Sequence, residues 1–283
     1  MTSLSTASER PRDRQGDRRT IAAFFDLDKT IIAKSSSLAF SREFYAGGLI
    51  NRRSVLRSAY AQFIYLVGGA DHNQMEKMRE FLSAMCTGWN VETVREIVAE
   101  TLHNIVDPLV YDEAMRLIGE HQAQGHDVVI VSASGSEIVR PIGEMLGADD
   151  VIATRLEVVD GKYTGTIEHY VYGEEKAVAI TELAKRRGYV LASCFAYSDS
   201  ITDLPMLEVT GNPTVVNPDK ELRKVATERG WPVQVFTKPV ALRSGVATSK
   251  PTLAALGLIG AAAVTGVAWA VVKRKVAGES SPA

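Results

Sequence analysis

Two kinds of hydrophobic pattern alternate along the chain. Short runs that are apolar at nearly every position end in a polar residue: Ile21–Asp26 (IAAFFD), Asp127–Ser132 (DVVIVS) and Ala192–Ser198 (ASCFAYS). Such runs predict strands buried on both faces. Between them, apolar residues recur at helical spacing. That pattern predicts a long helical stretch over about 35–106, in which Asn90 caps NVETVREIVAETL. Further helices are expected at Tyr111–Gln124, Gly135–Leu146, Glu174–Arg187 and Asp203–Val209, and from about Asp219, with Gly125 and Gly188 as stops. Val151–Ala153, Thr214–Val216 and Val233–Phe236 read as short strands. RLEVVDGKYTGTI alternates about Asp160-Gly161, which predicts a hairpin.

Strands that alternate with helices predict an α/β protein, a Rossmann-like parallel sheet with helices on both faces in three layers. Ligands of such sheets bind beyond the carboxyl ends of the strands. Asp26, Ser132 and Asp199 stand at three such ends, so adjacent strands would bring them to one crevice. The gap from Asp28 to Ser132 far exceeds the dozen or so residues that a parallel crossover needs. The surplus, about 35–106, is expected to be an inserted helical cap beside the crevice.

The two ends of the chain follow neither pattern. Residues 1–20 are polar and Arg-rich with no apolar core, so they predict a disordered tail and not a secretory signal. Leu253–Val272 (LAALGLIGAAAVTGVAWAVV) carries no charge, and its length as a helix matches a bilayer core of ~30 Å. Lys250 and Lys273-Arg274-Lys275 flank it. A core helix seldom stays apolar on every face for so long, so 253–272 is expected to be a C-terminal transmembrane helix, with 238–252 a basic linker and 273–283 a short tail. Gly257 with Ala261, and Ala262 with Gly266, have the spacing of helix-pairing positions. With no export signal ahead of it, the body is expected on the cytoplasmic side of a single-pass anchor.

Charge sharpens this division. The chain of 283 residues has a net charge of -2, but residues 1–20 carry +2, 21–237 carry -9 and 238–283 carry +5. An acidic body argues against nucleic-acid partners and suits a metal-using enzyme, while a basic tail suits an anionic lipid surface. The only cysteines, Cys86 and Cys194, form neither a disulfide framework nor a CxxC site, which points to a reducing compartment. Cys194 lies in an apolar run and is expected to be a buried thiol. His72, His103, His121, His126 and His169 lack metal-ligand spacing and are expected in surface or structural roles. Arg52, Arg53 and Arg57 read as a solvated helix face, and Trp89 and Trp231 as packing residues.

The candidate chemistry sits at the strand ends. In FFDLDKT, Asp26 and Asp28 stand two apart at the end of a buried run. One can attack phosphorus while the other donates a proton to the leaving oxygen and later activates water. Ser132 and its neighbouring N–H groups can hold a phosphate oxygen, and Lys176, just after Gly173, can neutralise phosphate charge. Asp199 and Asp203, in YSDSITDLPML, add hard carboxylate donors to Asp26 for Mg2+. Each feature alone has a plainer reading, such as a capping acid or a solvated lysine. Their order and strand-end placement are far more specific together.

In that order the residues resemble the four motifs of the haloacid dehalogenase superfamily: Asp26-Leu27-Asp28-Lys29-Thr30, Ser132, Lys176, and Asp199 with Asp203. The resemblance covers about Ile21–Phe236 and is nearest to subfamily IB, the phosphoserine phosphatase-like group with a helical cap between the first two motifs. It implies that Asp26 is nucleophile and metal ligand. It implies that Asp28 is general acid/base and gives its backbone carbonyl to the metal. Ser132 and Lys176 would hold the phosphoryl group, Asp199 would bind Mg2+ and Asp203 would support the metal shell. Retention of Asp28 favours phosphate chemistry over dehalogenation. The chain departs from the pattern at Thr202, Ser198 and Ala133. It also has Ser35 where phosphoserine phosphatase has a glutamate for the substrate ammonium, which argues against phosphoserine.

The expected activity is hydrolysis of a small or lipid-derived phosphomonoester through an aspartyl phosphate. The alternatives are a phosphotransferase with a non-water acceptor and a non-catalytic tethered regulator that binds a phosphorylated ligand. Binding alone would not need Asp28.

Overall fold

The computed structural model describes residues 20–50 and 85–237. The N-terminal tail, the middle of the expected cap with Arg52, Arg53 and Arg57, the linker and the apolar stretch Leu253–Val272 lie outside the described residues. No helix among the described residues is long and apolar enough to cross a membrane. The chain divides into two compact units, Met1–Leu242 and Arg243–Ala283, and every described residue belongs to the first.

Seven strands form one sheet: β1 (Ala22–Phe25), β2 (Asp127–Gly135), β3 (Asp150–Val159), β4 (Lys162–His169), β5 (Phe195–Ser198), β6 (Asn212–Val216) and β7 (Val233–Gln234). Their order is β4-β3-β2-β1-β5-β6-β7. Every pairing is parallel except the antiparallel hairpin β3–β4. β1 is central, with β2 on one side and β5 on the other. The strand order therefore reverses at β1, and ligands collect where an open sheet reverses in this way.

The helices are α1 (Ser36–Ala39), α2 (Ser41–Ala46), α3 (Val91–Val106), α4 (Asp112–Ala123), α5 (Ser136–Leu146), α6 (Glu174–Arg187), α7 (Leu204–Glu208) and α8 (Lys220–Arg229). Strand periodicity sends alternate residues to opposite faces. Ala23, Phe25, Val128, Ile130 and Tyr197 join a core with residues of α3, α4 and α5. Ala22, Phe24, Val129, Val131 and Ala196 join a second core with residues of α6, α7 and α8. Burial on both faces is why these runs are continuously apolar.

The turns follow local chemistry. Asn90 accepts the Thr93 N–H at 3.1 Å and so caps α3, as expected. Asp160 and Gly161 both hold positive φ, 50° and 72°, the backbone of a two-residue hairpin turn. β3 differs from its predicted form. Val151–Ala153 and the first arm of the hairpin are one strand, parallel to β2 through Thr154 and then antiparallel to β4. Its exposure rises beyond Thr154, so the hydrophobic pattern changes where the neighbours change and not where the strand ends.

Cys194 is fully buried, and its Sγ accepts the Ala22 N–H at 3.3 Å. Trp89 packs against Phe44 and Trp231 beneath Arg229. His121 and His126 are buried structural residues. Their Nδ1 atoms lie 2.9 Å apart, and His121 Nε2 is 2.8 Å from the Tyr197 hydroxyl.

Candidate active site

The end of β1 turns sharply. Asp26 still belongs to the ladder, its N–H donating to the Tyr197 carbonyl at 2.9 Å. The chain then folds back, with the N–H groups of Ile31 and Ile32 on the Leu27 carbonyl at 3.0 and 3.1 Å. Lys29 takes a left-handed φ of 64° within this turn. Leu27 is fully buried and anchors the turn, while Asp28 is half-buried beside the crevice.

Asp26, Lys176 and Asp203 meet directly. Lys176 Nζ, in the first turn of α6, donates to Asp26 Oδ1 at 2.7 Å and to Asp203 Oδ2 at 2.8 Å. Ser198 at the end of β5 donates its hydroxyl to the same Asp203 oxygen at 2.7 Å. All four residues are buried. Asp203, expected in the metal shell, thus spends Oδ2 on Lys176 and Ser198.

On the other side of β1, Ser132 is buried at the end of β2, and its Oγ accepts the Ser134 N–H at 3.1 Å. Its hydroxyl hydrogen is left to donate to a bound oxygen. Asp28 is held at both oxygens, Oδ1 by the Ser36 N–H at 2.7 Å and Oδ2 by the Ser134 hydroxyl at 3.0 Å. Asp199 lies one residue past β5, and its carbonyl accepts the Asp219 N–H at 2.8 Å. Asp219 also receives the Ile201 N–H at 2.8 Å, which ties the loop that carries Asp199 and Asp203 to the start of α8.

The charges do not balance. Among the described residues, the cations that act on Asp26, Asp199 and Asp203 are Lys176 and Lys29. Burial pushes the Asp26 carboxyl up to about 8; Lys176 opposes this, and the carboxylates of Asp203 and Asp28 add to it. Burial likewise lifts Asp199 to about 6, against the pull of Lys29. Burial alone would lower Lys176, but Asp203 and Asp26 outweigh it and hold the ammonium well above the ordinary lysine range. Lys176 therefore stays charged between Asp26 and Asp203, so the pair holds one carboxyl more than its cation, and burial bears hardest on Asp26.

Such a site fits a hard divalent cation. Among the described residues no three His, Cys, Asp or Glu side chains gather into a ready-made cage. Mg2+ does not require one, since it commonly takes one or two carboxylates and completes its shell with water and substrate phosphate. Asp26 and Asp199 are the buried carboxylates left without a full counter-charge.

The structure thus gathers the predicted residues around the ends of β1, β2 and β5. Ser36, Ser134 and Ser198 also belong to the site and were not expected there. A partial signal for Ser134 exists, because Ser132 and Ser134 are two apart in VSASGS and share a strand face.

Residues 23–208 match the family model of the haloacid dehalogenase-like hydrolases. A Streptomyces azureus protein, described as an inhibition of morphological differentiation protein, is 60% identical over 260 residues, covering 90% of this chain and 94% of its own length. A probable phosphatase of Mycobacterium tuberculosis is 56% identical over 282 residues, covering 95% of this chain and 98% of its own. Among solved structures, a Bordetella pertussis protein of unknown function superposes with a TM-score of 0.67 at 27% identity, covering 75% of this chain and 97% of that one. The chain therefore belongs to the haloacid dehalogenase-like hydrolase family and is an enzyme of its phosphatase kind.

Proposed function

We propose that the chain is a Mg2+-dependent phosphomonoesterase that forms an aspartyl phosphate on Asp26 and acts beside a membrane on a small or lipid-derived substrate. The observation that carries this reading is the buried acid Asp26, held 2.7 Å from Lys176 at the central strand end, with Asp28 two residues away. Lys176 and the Ser132 hydroxyl bind the phosphoryl oxygens and neutralise their charge. An Asp26 carboxylate oxygen attacks phosphorus. The bond from phosphorus to the leaving oxygen breaks, and that oxygen takes a proton from Asp28. Water then gives a proton back to Asp28 and attacks phosphorus, which breaks the bond to Asp26 and frees phosphate. Mg2+, taken by the Asp26 and Asp199 carboxylates and, as the family resemblance implies, the Asp28 carbonyl, supplies charge neutralisation at the phosphoryl group.

The membrane part of the reading is supported by the uncharged stretch Leu253–Val272 and its basic flanks. Tethering raises the effective concentration of a lipid-derived phosphate at the surface. Ser35, where a glutamate would meet an ammonium, speaks against phosphoserine.

The test is phosphate release from an aryl phosphate by the full-length protein, with and without Mg2+, beside Asp26→Asn. Metal-dependent release that disappears in the variant is expected. No turnover across a broad phosphomonoester panel would leave a binding role, and product that depends on an added acceptor would show transfer. A topology reporter fused after Ala283 tests the anchor; residence in the soluble fraction would refute it.

A further inference from the structure

We propose that Ser134 is a positioning residue that holds the Asp28 carboxyl in line with the leaving oxygen and ties it to the first residues of the cap. This rests on the phosphatase reading above. Three segments converge on one carboxylate: the turn after β1, the end of β2, and the start of α1. Asp28 Oδ1 accepts the Ser36 N–H at 2.7 Å, and Oδ2 accepts the Ser134 hydroxyl at 3.0 Å. Ser134 Oγ also lies 2.9 Å from Ser36 Oγ and 3.1 Å from Ser37 Oγ. A hydroxyl has one hydrogen and two lone pairs. With its hydrogen on Asp28, Ser134 accepts from both cap serines, and every position of the hydroxyl is used. Ser36 is fully buried and Ser134 nearly so, so the bond between them forms away from competing water, while the bonds to Asp28 and Ser37 are part-buried.

The arrangement separates the two oxygens of Asp28. Oδ1 faces a backbone N–H, which can only donate. Oδ2 faces a hydroxyl, which can keep donating to one of its lone pairs while another carries the proton. The exchangeable proton therefore travels on Oδ2. It passes to the leaving oxygen as the phosphorus–oxygen bond breaks and returns from the attacking water when the aspartyl phosphate is hydrolysed. The torsion of a carboxyl group is soft. Without Ser134 the group is held at Oδ1 alone, and the proton donor is poorly aimed.

The experiment compares full-length wild type, Ser134→Ala and Ser134→Thr in Mg2+ on phosphomonoesters of graded leaving-group basicity, from 2,4-dinitrophenyl to phenyl to alkyl phosphate. The readout is kcat/KM, which reports formation of the aspartyl phosphate. Ser134→Ala should stay within about twofold of wild type on the dinitrophenyl ester, whose leaving anion needs no proton. It should lose roughly tenfold to a hundredfold on the alkyl ester. Ser134→Thr, which keeps the hydroxyl, should recover most of that loss. Ser134→Cys, close in size and a weak donor, repeats the test if the alanine variant fails to fold. Equal losses on all esters, or no loss on any, overturn the inference while the phosphatase reading stands. A wild type inactive on the whole series overturns both.

Discussion

Two buried polar clusters meet along β5, one built on Tyr197 and the other on Ser198. In the first, His121, His126 and Tyr197 share hydrogen bonds of 2.8 and 2.9 Å among the rings of Phe25 and Phe195. Burial, with His126 adding to it, lowers His121 to about 4, so it is neutral near pH 7. In the second, Asp26, Lys176, Asp203 and Ser198 share bonds of similar length. Both clusters are buried and hydrogen-bonded, and they differ in charge. His121 is neutral and both its ring nitrogens are partnered, which is what a fold needs from polar groups inside it. The acidic cluster keeps a surplus carboxylate that burial penalises. Stability does not call for such a group, whereas nucleophilic chemistry does.

This contrast can be broken most directly at its charged end. Asp26→Asn should cost at least roughly a thousandfold in kcat, while its thermal melt without metal stays near wild type, because burial already favours the neutral carboxyl that the amide mimics. A large loss of stability would mean that Asp26 is structural. Lys176→Met leaves Asp203 and Asp26 buried without their cation and should destabilise by roughly 3–5 kcal/mol in denaturant titration. Adding Asp203→Asn should recover part of that, since the two residues are in contact. His121→Phe probes the neutral cluster. It should cost roughly 1–3 kcal/mol through unpaired partners with kcat unchanged. A collapse in kcat with the fold intact would join the two clusters into one site.

The smallest effects are in pH, where His121 of the neutral cluster and Asp199 beside the acidic one should have opposite signs. His121 takes its proton near 6.5 when unfolded and near 4 when folded. Between these values the unfolded chain binds more protons, so stability falls as pH falls, by roughly 1.5 kcal/mol from pH 6.5 to 5. Asp199 runs the other way, from 3.8 unfolded to about 6 folded. There the folded chain binds more protons, and without metal its contribution grows as pH falls from 6 towards 4. Metal-free melts across pH 7 to 4.5 should therefore slope less steeply downward on acidification in His121→Phe than in wild type, and more steeply in Asp199→Asn. Mg2+ should raise the melting temperature at neutral pH and lose that effect below about pH 6, where Asp199 is protonated. Parallel slopes in the two variants would remove the electrostatic distinction.

Much of the site was legible because its chemistry is tied to strand ends. Asp26, Ser132 and Asp199 each follow a buried apolar run, and Lys176 follows a glycine at a helix start, so local pattern alone gives their order. The partners of these residues were not legible. Ser134 and Ser36 stand 98 positions apart, and no local signal joins them. Ser198 read only as a departure from a family pattern, yet its hydroxyl is fixed on Asp203. His121 and His126 lack metal-ligand spacing, and nothing in their neighbourhood announces that Tyr197 completes the pair. The length of β3 was missed because periodicity reports burial, which changes within the strand.

The sequence by itself determined the alternation of strands and helices, the Asp160-Gly161 turn, and which acids and which lysine stand about the carboxyl ends of β1, β2 and β5. These follow from steric and burial preferences that act over a few residues. Only the tertiary structure decided that β1 lies between β2 and β5, that Lys176 serves Asp203 as well as Asp26, and that Asp28 is held from the sheet and the cap together. Those outcomes depend on how distant segments share buried space and charge, and a local pattern carries no record of its distant neighbours.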